Sequence, residues 1–102
     1  MLKFNSKTVQ ELELELIERS NEIAIETVKG ILLALEQDAD AVLLGIIPAA
    51  NMDITVKRKG FLNALQNNLP KCSDAEEFEL CNEATAWIKK LQESETNNQN
   101  SI

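Results

Sequence analysis

The sequence predicts an all-α fold, a bundle of three to four helices whose first helix is much longer than the others. The main observation is a run of residues spaced alternately three and four apart, which places one face of a helix against a partner. Proline is absent before Pro48, and aromatic residues make up only 4% of the chain, so the core must be aliphatic, as in packed helices. The run, called the apolar stripe below, consists of Leu14, Ile17, Asn21, Ala24, Val28, Ile31 and Leu35.

The first helix is predicted over residues 9–37. Thr8 and Glu11 have the spacing of a capping box, in which each side chain accepts a hydrogen bond from an otherwise unpaired amide at the helix start. At 1.5 Å per residue this helix would be about 45 Å long. Residues 11–16 alternate Glu and Leu with the period of a strand, but both residue types favour helix and the helical period follows directly.

The segment after the first helix permits two interpretations. Residues 41–47 form either a short buried helix capped by Asp40, or a strand over 42–47 that pairs with a strand over 54–57. Six apolar residues are too few for periodicity to decide. We prefer the short helix, because a lone hairpin needs a third element to support it. The alternative to the all-α bundle is therefore an α+β fold with this hairpin.

Two more helices complete the predicted bundle. The third is expected from near Asp53 to Leu69, and the fourth begins at a second capping box formed by Ser73 and Glu76. Residues 93–102 are rich in Asn, Ser, Glu and Gln and are predicted to form a disordered polar tail. Residues 1–92 then form a single helical domain.

The net charge of −7, from 10 basic and 17 acidic side chains, argues against direct binding of nucleic acid, because such binding depends on Lys and Arg. Residues 39–72 carry four bases and two acids, whereas both flanking segments are acidic. We expect this basic centre to be neutralised within the fold or across a dimer. The longest uncharged stretch, residues 41–52, is shorter than the roughly 20 residues of a spanning helix, so no membrane partner is predicted.

The cysteines predict a cytoplasmic location. Cys72 and Cys81 are the only two, and no signal peptide precedes them. We expect reduced thiols that pack as small apolar side chains in preference to a disulfide.

Catalytic chemistry is poorly represented in the chain. Histidine is absent, which removes the commonest general base and the commonest zinc ligand. Three glycines do not form a phosphate-binding loop. The sequence therefore predicts neither an enzyme nor a cofactor, a metal ion or a small-molecule substrate.

One set of carboxylates has the spacing to share a divalent cation. Glu15 and Glu18 are similar to the paired glutamates of some all-helical nucleotide pyrophosphohydrolases, which hold magnesium with a Glu and an Asp three residues later on another helix. Here Glu79 is followed by Asn82 in place of that Asp. A solvated acidic face is the preferred interpretation, and a magnesium-dependent nucleotide hydrolase is the minor alternative. The full set is Glu11, Glu15, Glu18, Glu22 and Glu26.

The predicted function is a non-enzymatic protein–protein interaction, in which a small acidic regulator or adaptor presents its helices to another protein. A helix of about 45 Å exceeds the third helix, at about 25 Å, so the apolar stripe predicts a homodimer or an obligate partner. Asn21 either fixes the register of a dimer seam or tilts toward water. Trp87 is either a core or rim residue or an anchor for a partner. The alternative is an acidic inhibitor of the immunity, antitoxin or phage-encoded type that binds a basic surface.

Overall fold

The fold is α+β, so the predicted all-α bundle is wrong and the alternative with a hairpin is the one that fits. A computed structural model describes the backbone of residues 1–100 and the side chains of residues 1–94. The elements are β1 (Leu2–Lys3), α1 (Val9–Glu18), α2 (Ser20–Glu36), β2 (Ala41–Ile47), β3 (Met52–Lys57), α3 (Phe61–Asp74) and α4 (Phe78–Asn100). The strands pair in the order β1-β2-β3.

The preferred short helix at 41–47 is wrong because the hairpin has the support that the sequence did not reveal. β1 pairs in parallel with β2, with Leu2 opposite Gly45, and α2 packs against β2. A third strand and a covering helix are what a hairpin needs for stability. Asn51 takes a left-handed conformation, φ 51°, at the turn between β2 and β3. Asn tolerates this conformation better than most residues.

The predicted single helix over residues 9–37 is also wrong, since the chain turns at Arg19 between α1 and α2. The predicted start is correct: the Thr8 hydroxyl accepts from the Glu11 N–H at 3.1 Å. The Glu11 carboxylate accepts from the Lys7 N–H at 2.8 Å, one residue before the position of a standard capping box. In a helix, residues two apart lie about 200° apart, so the alternating leucines of α1 do not share one face.

α3 begins at Phe61, not near Asp53, because the residues in between belong to β3 and a short 3-10 turn, Arg58–Gly60. The predicted capping box at Ser73 and Glu76 is wrong. Ser73 lies in the last turn of α3, and the Glu76 N–H donates to the Ser73 carbonyl at 2.9 Å.

Both α2 and α3 end in a Schellman motif with an acidic residue in the left-handed position that Gly usually occupies. Asp38 has φ 54° after α2, and Glu76 has φ 63° after α3. The second bond of each motif joins the Ala39 N–H to Ala34 at 2.8 Å and the Glu77 N–H to Cys72 at 3.0 Å. Each helix therefore stops at a turn that costs conformational energy.

The described side chains form two buried clusters. The larger lies between α2, α3 and α4 and includes Val28, Ile31, Phe61 and Leu65. The smaller joins Leu2, Phe4 and Ile47, with Leu12 and Ile23 packed against it. The core is mainly aliphatic, as expected, although Phe4 and Phe61 are its largest fully buried side chains.

The predicted polar tail, residues 93–102, falls largely outside the described residues, which exclude the side chains from position 95 and all of 101–102. The backbone up to Asn100 continues α4. Among the described helices, none combines the length and the apolar character needed to cross a bilayer.

Replacing Glu76 by Gly should stabilise the protein by about 1 kcal/mol, because Gly adopts the left-handed conformation without the steric cost that other residues have. Urea denaturation measures the change. Glu77→Gly is the matched control, since Glu77 is not a left-handed residue and gains nothing from Gly. Equal effects of the two substitutions would contradict this account of the turn.

Replacing Gly45 by Ala should destabilise the protein by roughly 1–3 kcal/mol, because the added Cβ would lie 2.8 Å from the Leu2 carbonyl oxygen of β1. Gly30→Ala is the control. Its Cβ would also come within 2.8 Å of an atom, but that atom is the mobile Cδ2 of Leu44, and Ala favours helix. The melting temperature of Gly45→Ala should fall below that of Gly30→Ala, and the reverse order would contradict the prediction.

Candidate functional site

Arg19 is the best-connected polar side chain at the junction of α1, α2 and β1. Its guanidinium donates to the Glu15 carboxylate at 2.7 Å and to both carboxylate oxygens of Glu22 at 2.9 Å. It also donates to the Lys3 carbonyl at 2.8 Å and lies over the Phe4 ring, 5.0 Å from the ring centroid. These contacts are called the Arg19 junction below. They restrict the position of α1 relative to α2 and β1.

The carboxylates of the Arg19 junction are stabilised in their charged form. A hydrogen bond from the Ser6 hydroxyl is the main reason that the pKa of Glu15 is lowered, and Arg19 lowers it further. The hydrogen bonds from Arg19 lower the pKa of Glu22, and both carboxylates raise the pKa of Arg19. The junction is therefore intact at neutral pH and weakens in acid.

The predicted glutamate stripe does not form one continuous helix face in this structure. The turn at Arg19 splits it between two helices, and Glu15 and Glu22 both bind the guanidinium. Among the described residues, no group of three Asp, Glu, Cys or His side chains is placed to hold a metal ion. Glu15 and Glu18 resemble the paired glutamates of the pyrophosphohydrolases, but those enzymes are all-helical and this chain has an α+β fold.

The apolar stripe is divided by the same turn. Ala24, Val28, Ile31 and Leu35 are buried in the core of this chain. Leu14 and Ile17 are 60% and 72% exposed, and Asn21 is exposed at the start of α2. A partner can therefore contact only the N-terminal part of the stripe.

Trp87 lies half-buried against the larger cluster, and the ammonium of Lys90 lies 4.7 Å from the centroid of its ring. The ring is therefore covered by the core on one side and by Lys90 on another. Its role as an anchor for a partner stays a prediction.

The two cysteines are free thiols. Cys72 is buried in α3, and Cys81 is half-buried in α4. Burial is the main cause that raises the pKa of the Cys72 thiol, and Cys81 and Glu77 add to it. Cys72 is therefore a protonated core side chain and not a reactive one.

The outer surface of α1 combines apolar and acidic side chains. Every residue of α1 remains at least partly exposed. Leu14 and Ile17, three residues apart, share the side away from Leu12, which packs on the smaller cluster. Residues 9–18 carry four acids and no base. Leu14 and Ile17 with the flanking Glu11, Glu13 and Glu18 are called the α1 patch below.

Grooves also lie beside these elements. One of about 400 Å³ runs between α2 and β2 and is lined by Gly30, Leu33 and Leu43 among others. The second, about 220 Å³, lies between the start of α1 and the hairpin and includes Val9 and Met52.

Sequence reasoning missed the Arg19 junction, although Glu15 and Glu22 lie four residues before and three residues after Arg19, where helical ion pairs form. No signal in the sequence placed Lys3 and Phe4 beside it.

No family model matches the chain, and neither a curated protein nor a solved structure is significantly similar to it.

Replacing Glu15 by Gln should destabilise the protein above the ordinary Glu pKa of 4.5, and this loss should shrink as the pH falls. A carboxyl whose pKa is lowered in the folded state stabilises that state at high pH, and it loses this contribution as it is protonated. Urea denaturation from pH 7 to pH 3 measures the difference from the unmodified protein. Glu13→Gln is the control, since Glu13 is an exposed position on the same helix. A loss at Glu15 that does not depend on pH would contradict the prediction.

Replacing Val28 by Asp should cost several kcal/mol or unfold the protein, because Val28 is fully buried and the charge would have no partner. Ile17→Asp should change the melting temperature little, since Ile17 is 72% exposed. Thermal melts followed by circular dichroism compare the two variants. If Ile17→Asp were as damaging as Val28→Asp, Ile17 would be covered in solution, by a second copy or by its own chain.

Proposed function

We propose that this chain is a non-enzymatic protein–protein interaction module, a regulator or adaptor that binds another protein through the α1 patch. The observation that supports the proposal is the exposure of Leu14 and Ile17 on a helix attached to the body by its other side. Apolar side chains placed together on a helix surface are typical anchors of a helix that binds in a groove. In this role, the Arg19 junction holds α1 in place before binding, which reduces the entropy cost of association.

The charges of α1 favour a partner of complementary charge. Glu15 is paired with Arg19, and the three remaining carboxylates of α1, those of Glu11, Glu13 and Glu18, favour an apolar groove bordered by Lys or Arg. A second copy of α1 would bring like charges together, so the partner at this surface is a different protein. The exposed rim charges then speed association and make it depend on salt, while the two apolar side chains provide contact area.

The alternative proposal is an acidic inhibitor of the immunity, antitoxin or phage-encoded type, which covers a basic partner surface. The net charge of −7 and the acidic α1 favour it. It uses the same surface but depends more on charge than on Leu14 and Ile17. A cytoplasmic location belongs to both proposals and stays a prediction.

Affinity capture from the source cell tests the proposal with matched variants. The double variant Leu14→Ser/Ile17→Ser removes the apolar side chains, and Leu33→Ser changes an exposed leucine of α2, 54% exposed, as the control. A partner retained by the unmodified protein and by Leu33→Ser, but bound at least tenfold more weakly by the double variant, is the expected result. Equal retention by all three proteins would contradict the proposal.

Removing charge separates the two proposed functions. Glu11→Gln/Glu13→Gln/Glu18→Gln keeps Leu14 and Ile17 and eliminates three carboxylates of the patch. A regulator bound mainly by apolar contact should keep most of its affinity and lose association rate. An acidic inhibitor should lose most of its affinity, and the measured dissociation constant of the captured partner decides between them.

A further inference from the structure

β3 is an edge strand whose outer side has no neighbouring strand within the described residues 1–100. At the end of the hairpin, the Arg58 N–H donates to the Asp40 carbonyl at 2.7 Å. Alternate residues of a strand direct their main-chain groups to the same side. Because the N–H of Arg58 faces β2, the main-chain groups of Val56 and Ile54 also face β2. The N–H and C=O groups of Asp53, Thr55 and Lys57 therefore face the open edge.

The side chains of β3 divide in the same way between the two faces of the sheet. Asp53, Thr55 and Lys57 are exposed and lie on one face. Ile54 and Val56 are half-buried and lie on the face that meets the core. The irregularity in the sheet, between Leu43 and Gly45, lies in β2, so it leaves the alternation of β3 intact.

We propose that β3 pairs antiparallel with β3 of a second copy of this chain, around a two-fold axis at Thr55. Residues that face an open edge pair with residues that face the other open edge, so Asp53, Thr55 and Lys57 must lie opposite one another. With the axis at Thr55, Asp53 lies opposite Lys57 of the second copy, and this happens twice. Thr55 lies opposite Thr55, and Ile54 lies opposite Val56.

This register is self-complementary in charge and in polarity. It gives two ion pairs and a Thr–Thr pair on the exposed face and two apolar pairs on the core face, all of which stabilise cross-strand contacts. A shift by two residues places Asp53 opposite Thr55 in one direction and Lys57 opposite Thr55 in the other, so both ion pairs within the strand are lost. The complementarity of β3 with itself therefore favours a second copy over an unrelated strand.

The pairing produces a continuous six-stranded sheet and a closed dimer. A two-fold axis perpendicular to the sheet keeps the helices of both copies on the same face. Monomeric proteins protect open edges with proline, bulges or several lysines. β3 reads Met-Asp-Ile-Thr-Val-Lys and has only one lysine, which the proposed register pairs with Asp53.

Charge exchange tests the register directly. Asp53→Lys places Lys opposite Lys twice, and Lys57→Asp places Asp opposite Asp twice, so each variant should dimerise about tenfold more weakly. The double variant Asp53→Lys/Lys57→Asp should recover the dimer. An equimolar mixture of the two single variants should form a mixed dimer, because every ion pair is then restored.

Sedimentation equilibrium of the full chain at tens of micromolar measures the mass, with the unmodified protein expected at twice its 11.4 kDa. The proposal would be overturned if the unmodified protein sedimented as a monomer. It would also be overturned if the dimer dissociation constant were unchanged in the charge variants. Amide hydrogen exchange adds a second measurement. The N–H groups of Thr55 and Lys57 should be protected in the dimer and exposed in the single variants, while that of Val56 stays protected in both.

The variants of the α1 patch keep this proposal separate from the proposed function. Leu14→Ser/Ile17→Ser leaves β3 unchanged and should remain a dimer. If that variant became a monomer while Asp53→Lys stayed a dimer, self-association would use the α1 patch and the β3 proposal would fail. If Leu14→Ser/Ile17→Ser lost a captured partner but remained a dimer, the result would support a dimer that does not depend on the α1 patch.

Discussion

The hydrogen bonds of the Arg19 guanidinium are the interaction on which the rest of the N-terminal structure depends. It is the point where β1, α1 and α2 meet, through the Lys3 carbonyl and the carboxylates of Glu15 and Glu22. An isolated surface ion pair contributes little to stability, but a bidentate network that also binds main chain and covers an aromatic ring restricts geometry. The junction binds the main chain of β1, and β1 is the third strand that the hairpin requires.

The junction also decides which part of the apolar stripe is core and which part is surface. The helix is interrupted at Arg19: α2 packs Val28 and Ile31 against α3 and α4, whereas α1 contains no buried residue. The smaller cluster beneath α1 offers room for Leu12 but leaves Leu14 and Ile17 outside. The polar contacts that bind β1 therefore lie beside the surface for which we propose a function.

Sequence patterns correctly predicted the features that local interactions determine. The hydroxyl of Thr8 caps α1, and the stripe from Ala24 to Leu35 marks a helix face that is buried. The turn at Arg19, the strand at Ala41–Ile47 and the exposure of Leu14 were missed because long-range contacts decide them. Parallel pairing of Leu2 with Gly45 joins residues more than forty positions apart, and no local period records it. The alternation of Glu and Leu over residues 11–16 was the one local sign that α1 has no single apolar face.

The two proposed surfaces use different residues and have a joint consequence. A dimer formed through β3 carries two copies of the α1 patch, related by the same two-fold axis. A partner that is itself two-fold, or that repeats its basic groove along its length, would then bind both patches with an effective concentration set by the sheet between them. Two apolar anchors on each α1 are a small contact by themselves, so binding through both copies would raise the overall affinity. The edge of the sheet and the outer side of α1 would then act together, one setting the spacing and the other making the contact.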